Sequence, residues 1–215
     1  MRVVSLERTR PADDIAEALR DDVLGGLLPP GTRVAEEDVQ ARFRVGRDLA
    51  RDALSELERD GLLVHSLHRG LEVVRLAVED VRDLFAARRT LELAGLDAFV
   101  RRRPADDVWL QAAVLSMTDA ARKGDGRAAV AADAAFHLAI VASTSSRRIR
   151  LAAEAAWREL RIVLAVADRV SGDLDELAAD HAGLAEVMVT APAGSARTAL
   201  LDHLRRAEAR ALAVI

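Results

Sequence analysis

The 215-residue sequence contains no cysteine, a single lysine (Lys123) and only 3% aromatic residues. The absence of cysteine excludes thiolate metal sites, thiol catalysis and a disulfide framework, and so points to the cytoplasm. No stretch approaches the roughly 18 uninterrupted apolar residues of a membrane span, and the first ten residues lack the apolar core of a signal peptide. Glycine and proline are sparse, at 12 and 5 residues, while 51% of residues are hydrophobic and 31% charged. That balance argues for a packed core and against long disorder. Positive net charge is also missing: the chain carries −4, and residues 1–77 are themselves slightly acidic. A nucleic-acid interface must therefore rest on local charge, and with a single lysine present, arginine abundance alone says little about phosphate binding.

Helical periodicity starts with Ile15, Leu19, Val23 and Leu24 and stops at Gly25-Gly26. A rigid turn follows at Leu28-Pro29-Pro30-Gly31-Thr32. A short helix is expected from Glu36 to Phe43, with Glu36, Glu37 and Asp38 in the first turn, where the helix dipole favours carboxylates. After Val45-Gly46, a third helix runs from about Arg47 to Asp60 with Ala50, Ala53, Leu54 and Leu57 as its buried stripe. Gly61 is placed for a left-handed cap. The period then changes to two short β runs, 62–65 and 71–74, around a hairpin at 66–70. Three helices and a terminal hairpin predict a winged helix-turn-helix with a two-strand wing over residues 1–76.

Beyond Arg75 no strand signal returns. Six helices are expected, over about 78–102, 105–123, 125–144, 147–170, 173–190 and 195–214, with breaks at Pro104, Gly124, 143–146, Gly172 and 191–194. Residues 77–215 thus read as an all-α bundle, and the chain as mainly α.

The best local basic run is 42–51. A recognition helix enters the major groove with its N-terminal residues toward the bases. Arg47 and Arg51 lie at that end, one turn apart and opposite the buried stripe, with Arg44 just ahead. Arginine suits guanine O6 and N7, or a phosphate. His68, Arg69 and Gly70 occupy the tip of the wing, where glycine lets a backbone approach a groove closely. On the other reading these arginines are only a solvated helix face.

In the second half, Asp133 and His137 stand at i and i+4 on one helix face. His181 falls on the stripe Leu174, Leu177, His181, Leu184, and His203 on a stripe with Leu200, Leu204 and Ala207. Of five histidines in the chain, three therefore face inward on separate helices, beside a carboxylate. Singly, each is a core histidine; as a set they suit a divalent cation such as Zn, Ni, Mn or Fe. Arg88 lies on the buried stripe of its helix with Val81, Leu84, Phe85, Leu91, Gly95 and Phe99. It either pairs internally with Glu92 at i+4 or forks onto a ligand carboxylate. Arg161 is a second, weaker candidate for the effector site. Trp109 and Trp157 read as core or interface residues.

The segment from Leu28 to Val39, then Arg47 to Leu54, then Leu57 to Leu63, resembles the GntR superfamily of bacterial regulators. The helical half resembles the FadR-type ligand domain known as FCD. Departures occur at Gly46, where the family usually has Ser or Thr, at Leu49, where it has Pro, and at Asp48, where a small polar residue is common. The resemblance implies operator DNA as a partner and a divalent metal held by Asp133, His137, His181 and His203. It further supports Arg88 at the effector pocket. Metal and arginine together suggest a small carboxylate effector. The expected protein is a ligand-responsive homodimeric transcription regulator. Its rivals are a metal-dependent enzyme acting on a small carboxylic acid, a structural module with core histidines, and a regulator that senses the metal itself. No placed general base or nucleophile supports the enzyme.

Overall fold

A computed structural model of the chain describes residues 11–66, 70–102 and 108–215. The wing-tip residues His68 and Arg69 lie outside the described residues. The chain divides into two compact units that meet between Arg75 and Leu76.

In the first unit, α1 (Pro11–Leu24) packs on α3 (Arg47–Arg59), with α2 (Glu36–Phe43) also against α3. Ile15, Leu19 and Val23 of α1 are buried, as are Ala50, Ala53, Leu54 and Leu57 of α3. Arg20 donates from Nε and Nη2 to Asp60 at 2.9 and 2.7 Å, tying α1 to the end of α3. Gly61 has φ +71, as the left-handed stop after α3 requires. β1 (Leu63–Ser66) and β2 (Gly70–Val73) pair antiparallel, Leu63 with Val73 and Ser66 with Gly70. The sequence reading puts only a turn before α2, but the chain does more there. Val73 donates to Thr32 O at 2.8 Å and Val34 to Leu71 O at 2.9 Å, and Arg33 bridges Glu72. The free edge of β2 is thereby paired, which satisfies backbone groups that a two-strand wing would leave open. A run of three or four residues is too short for its periodicity to reveal this.

The second unit contains α4 (Val78–Arg102), α5 (Val108–Lys123), α6 (Gly126–Ala142), α7 (Arg147–Ser171), α8 (Leu174–Thr190) and α9 (Ala193–Leu212). The breaks between them follow local chemistry. Asp125, Ser146 and Asp173 each accept from a backbone N–H of the helix that follows, while Gly172 closes α7 in the left-handed region. Leu96, Phe99, Phe136, Ile140, Leu200 and Leu204 form one apolar cluster, and Val81, Phe85, Trp157, Leu160 and Ala207 another. Gly95 sets the approach of α4 to α6: a Cβ there would stand 2.4 Å from the Ile140 carbonyl oxygen. This close crossing brings Glu92 of α4 up to His137 of α6. No helix among the described residues is long and apolar enough to cross a membrane.

Candidate functional site

At the head of α3, Arg47 and Arg51 are exposed and one turn apart. Both are held by one carboxylate. Glu36 of α2 accepts from Nε of Arg47 and Nε of Arg51, each at 2.9 Å. Glu36 itself is held below the usual glutamate range by these two hydrogen bonds. Gly46 is the N-cap of α3 and supplies no side-chain bond, a few tenths of a kcal/mol weaker than the usual Ser or Thr. Asp48, exposed in the first turn, complements the helix dipole instead. Arg44 ends α2 in the left-handed region, at φ +56. Gly70 opens β2 at φ +78 with open space around it.

The second unit brings together the three inward histidines. His137, His181 and His203 are 0, 1 and 2% exposed, and one ring nitrogen from each lies within 4.8 Å of the others. Nε2 of His137 is 3.1 Å from Nε2 of His203. Asp133 Oδ1 lies 2.7 Å from Nε2 of His181 and 3.4 Å from Nε2 of His137. Every Nδ1 faces outward to an acceptor. His137 donates to Glu92 Oε2 at 2.6 Å, His181 to the Leu177 carbonyl at 2.8 Å, and His203 to Asp180 Oδ2 at 2.8 Å. Asp180 is held in turn by Arg206.

This arrangement fixes each tautomer. With Nδ1 committed as a donor, a neutral imidazole presents a bare lone pair at Nε2. Three such lone pairs and a carboxylate oxygen then face one another in the buried interior of the bundle, which is repulsive unless a cation sits among them. Outer-shell acceptors on the far ring nitrogen are the usual support of metal-ligating histidines. The residues therefore fit a divalent ion.

Protons can substitute for it. Burial pushes His137 down, but the Glu92 charge and the hydrogen bonds it donates to Asp133 and Glu92 outweigh burial and the Arg88 charge, so its pKa is raised. His203 is brought down to about 4 by burial and by the neighbouring histidines, against the Asp180 bond. Burial raises Asp133 too, yet hydrogen bonds from His137 and His181 hold it well below the ordinary carboxylate range. His137 then donates through Nε2 to a neutral His203.

Arg88 and Glu92 are buried at 2 and 1% exposure. Of the two sequence alternatives, the internal pair is present: Nε of Arg88 donates to Glu92 Oε1 at 2.8 Å, while Nη2 is buried with no hydrogen-bond partner among the described residues. The guanidinium lies 4.0 Å from the Trp157 ring centroid and 5.0 Å from that of Phe85. Trp157 stacks on His137 at 5.2 Å between centroids. Burial favours a protonated Glu92, but Arg88 and His137 hold it down at about 2. Arg161 lies one turn beyond Trp157 on α7, partly exposed. Trp109 is 79% exposed, so it is not a core residue.

Sequence reasoning missed Asp180 and Asp168. Asp180 precedes His181 in the chain but serves His203 on another helix, a relation no local spacing shows. Asp168 of α7 is raised to about 7, first by burial and then by the charge of Asp133. It lines a cavity of about 280 Å³ with Asp180, Arg206 and Arg210.

A winged helix-turn-helix with paired arginines at the head of its third helix, followed by an all-helical unit, defines a DNA-binding regulator class. Comparison with known proteins agrees. Residues 11–73 match the gntR family of bacterial regulatory proteins, and residues 83–206 match the FCD domain. The chain belongs to the GntR family of bacterial transcription regulators, in the group that carries an FCD domain.

It is 29% identical over 203 residues, 93% of this chain and 88% of the relative, to a protein of Paenarthrobacter nicotinovorans named "Probable D-xylose utilization operon transcriptional repressor". A GntR transcriptional regulator from Rhodococcus sp. RHA1 superposes with TM-score 0.77 at 27% identity, over 96% of this chain and 100% of that one. E. coli McbR/YncC shares the fold, with TM-score 0.69 and 18% identity over 95% of this chain and 98% of that one. The family, the Paenarthrobacter nicotinovorans relative and the Rhodococcus protein are regulators rather than enzymes.

Proposed function

We propose that the chain is a cytoplasmic, homodimeric regulator whose operator affinity is set by a small carboxylate bound next to a divalent cation. His137, His181, His203 and Asp133 hold the cation (Zn, Ni, Mn or Fe). The observation that carries this reading is the outward commitment of all three Nδ1 atoms, which leaves three Nε2 lone pairs aimed at one focus. The cation supplies a Lewis-acidic anchor for one end of the effector. Arg88, already aligned by Glu92, takes a carboxylate oxygen with its remaining Nη2.

At the DNA end, Arg47 and Arg51 read base edges or phosphates; Arg44, Asp48, His68, Arg69 and Gly70 are the further residues assigned to DNA contact. The two winged units of a dimer meet half-sites about one helical turn apart. β2 ends at Val73 and α4 begins at Val78, so a movement of α4, which carries Arg88 and Glu92, is passed to the winged unit through a link of only four residues. The effector must prefer one arrangement of the dimer, since equal affinity for both shifts nothing.

Elemental analysis of the purified protein, followed by thermal-shift screening of the metal-loaded form, tests this. The first panel is acetate, succinate and D-xylonate, the last because the Paenarthrobacter nicotinovorans relative is named for D-xylose utilization. A ligand confined to the native state raises the melting temperature. A stoichiometric metal and at least one stabilising acid are expected. Metal-free protein that cannot be loaded contradicts the cation, and a metal-loaded protein indifferent to every acid contradicts the carboxylate.

A further inference from the structure

Two buried hydrogen-bond donors beside the histidine cluster have no acceptor. Nε1 of Trp157 and Nη2 of Arg88 are both buried and without a hydrogen-bond partner among the described residues. Trp157 is 3% exposed as a residue, and Arg88 2%. Buried indole N–H groups ordinarily find a partner, and an unmet donor in a low-dielectric interior is costly. A phenylalanine would keep an aromatic ring in the core without that cost, at the loss of some packing volume. The two donors sit on groups in direct contact, since the Arg88 guanidinium lies 4.0 Å from the Trp157 ring centroid. Glu92 does not serve either of them: its oxygens accept from Nε of Arg88 and from Nδ1 of His137.

We propose that Trp157 is an effector-reading residue, its indole N–H and Nη2 of Arg88 together receiving the carboxylate of the bound ligand. This rests on the carboxylate reading above and deepens it. The two unmet atoms form a donor-only pair, one of them on a permanent cation, beside the already engaged Glu92 carboxylate. The pair therefore selects an acceptor-only anionic group and rejects an ammonium or an amide nitrogen at the same place. Because Trp157 also stacks on His137 at 5.2 Å, the carboxylate is read directly beside a cation ligand. Trp157 thus sets ligand specificity, while the histidines hold the metal.

The chain contains two tryptophans, and the second, Trp109, is 79% exposed. It serves as an internal control. The zinc-loaded, full-length protein is labelled with ¹⁵N-indole tryptophan and titrated with acetate, succinate and D-xylonate. Binding of an accepted acid is expected to move the protected Trp157 N–H resonance downfield and leave the Trp109 resonance in place. Trp157→Phe keeps an aromatic ring, though a smaller one, and removes the donor. Zinc stoichiometry should be retained and the melting temperature without ligand should fall by roughly a few degrees for the smaller buried ring, while affinity for that acid falls roughly tenfold.

Equal affinity of wild type and Trp157→Phe, with a stationary Trp157 resonance, overturns this assignment and leaves the carboxylate reading standing. Failure of all three acids to bind the wild type overturns both. If Trp157→Phe loses its fold or its zinc, the wild-type resonance alone decides: movement on binding supports the assignment, and its absence refutes it.

Discussion

Glu92 Oε2 stands 2.6 Å from Nδ1 of His137, while its other oxygen accepts from Arg88 at 2.8 Å. One buried carboxylate thus joins the arginine proposed to grip the effector to a histidine proposed to hold the metal. Any movement of Arg88 is felt by the imidazole through a single side chain, and coupling of this kind is reciprocal.

Glu92→Gln keeps the shape but removes the charge. Metal affinity should fall about 10- to 100-fold, as expected for loss of an outer-shell partner. Leaving the Arg88 charge unmatched in the core should also cost about 3–5 kcal/mol of stability. Competition with a chelator and chemical denaturation read the two effects separately. Unchanged zinc affinity would remove Glu92 from any role at the site.

Zinc binding should release protons. The raised pKa of His137 means that its protonated form stabilises the metal-free fold fully below the unfolded value of about 6.5. That contribution is lost as pH rises through the folded value. The cation must displace this proton, so zinc affinity weakens as pH falls through that window. Calorimetry at pH 6.5 in buffers of different ionisation enthalpy should show at least one proton released per zinc. Binding without proton release would contradict the protonated His137.

Asp168 has the opposite sign to the other buried carboxylates. With its pKa raised to about 7, the fold favours the neutral acid. Its stabilising contribution is complete below the unfolded carboxylate value and is lost as pH rises through about 7. Asp168→Asn mimics the neutral form, so the variant should gain on wild type between pH 4 and pH 8, by on the order of 3 kcal/mol in the metal-free protein. A bound cation should shrink the difference. Parallel stability–pH curves for the two proteins would refute the shift.

At the DNA end, Arg51→Ala should weaken operator binding tenfold or more while leaving melting temperature and metal content unchanged. Glu36→Gln frees both arginines and removes a negative charge. It should raise affinity for random duplex DNA and narrow the ratio between operator and random sequence. Mobility-shift titrations at fixed salt measure both variants. An Arg51→Ala protein that binds operator normally would make the Arg47–Arg51 face a solvated surface.

Much of this architecture is legible in the residues because local chemistry and tertiary burial agree. Asp125, Ser146, Gly172 and Asp173 stop and start helices where the bundle turns. His137, His181 and His203 sit on otherwise apolar stripes, which is why their inward orientation can be read in advance. What could not be read is everything that crosses between helices. Asp180 with His203, Trp157 against Arg88 and His137, and Glu36 between two arginines depend on how helices are rotated about each other, which periodicity alone does not set. The pairing of 31–34 with β2 escaped for another reason. It consists of backbone hydrogen bonds in a run containing Gly31 and Thr32, with no alternating pattern to announce it.

The central claim is that three imidazoles and a carboxylate share one cation, and anomalous diffraction from crystals of the purified protein tests it most directly. A single strong peak is expected in the second unit, about 2.0–2.2 Å from Nε2 of His137, His181 and His203, and missing from His181→Ala crystals. A map with no peak at that focus after soaking with zinc, or one unchanged by His181→Ala, would contradict the claim.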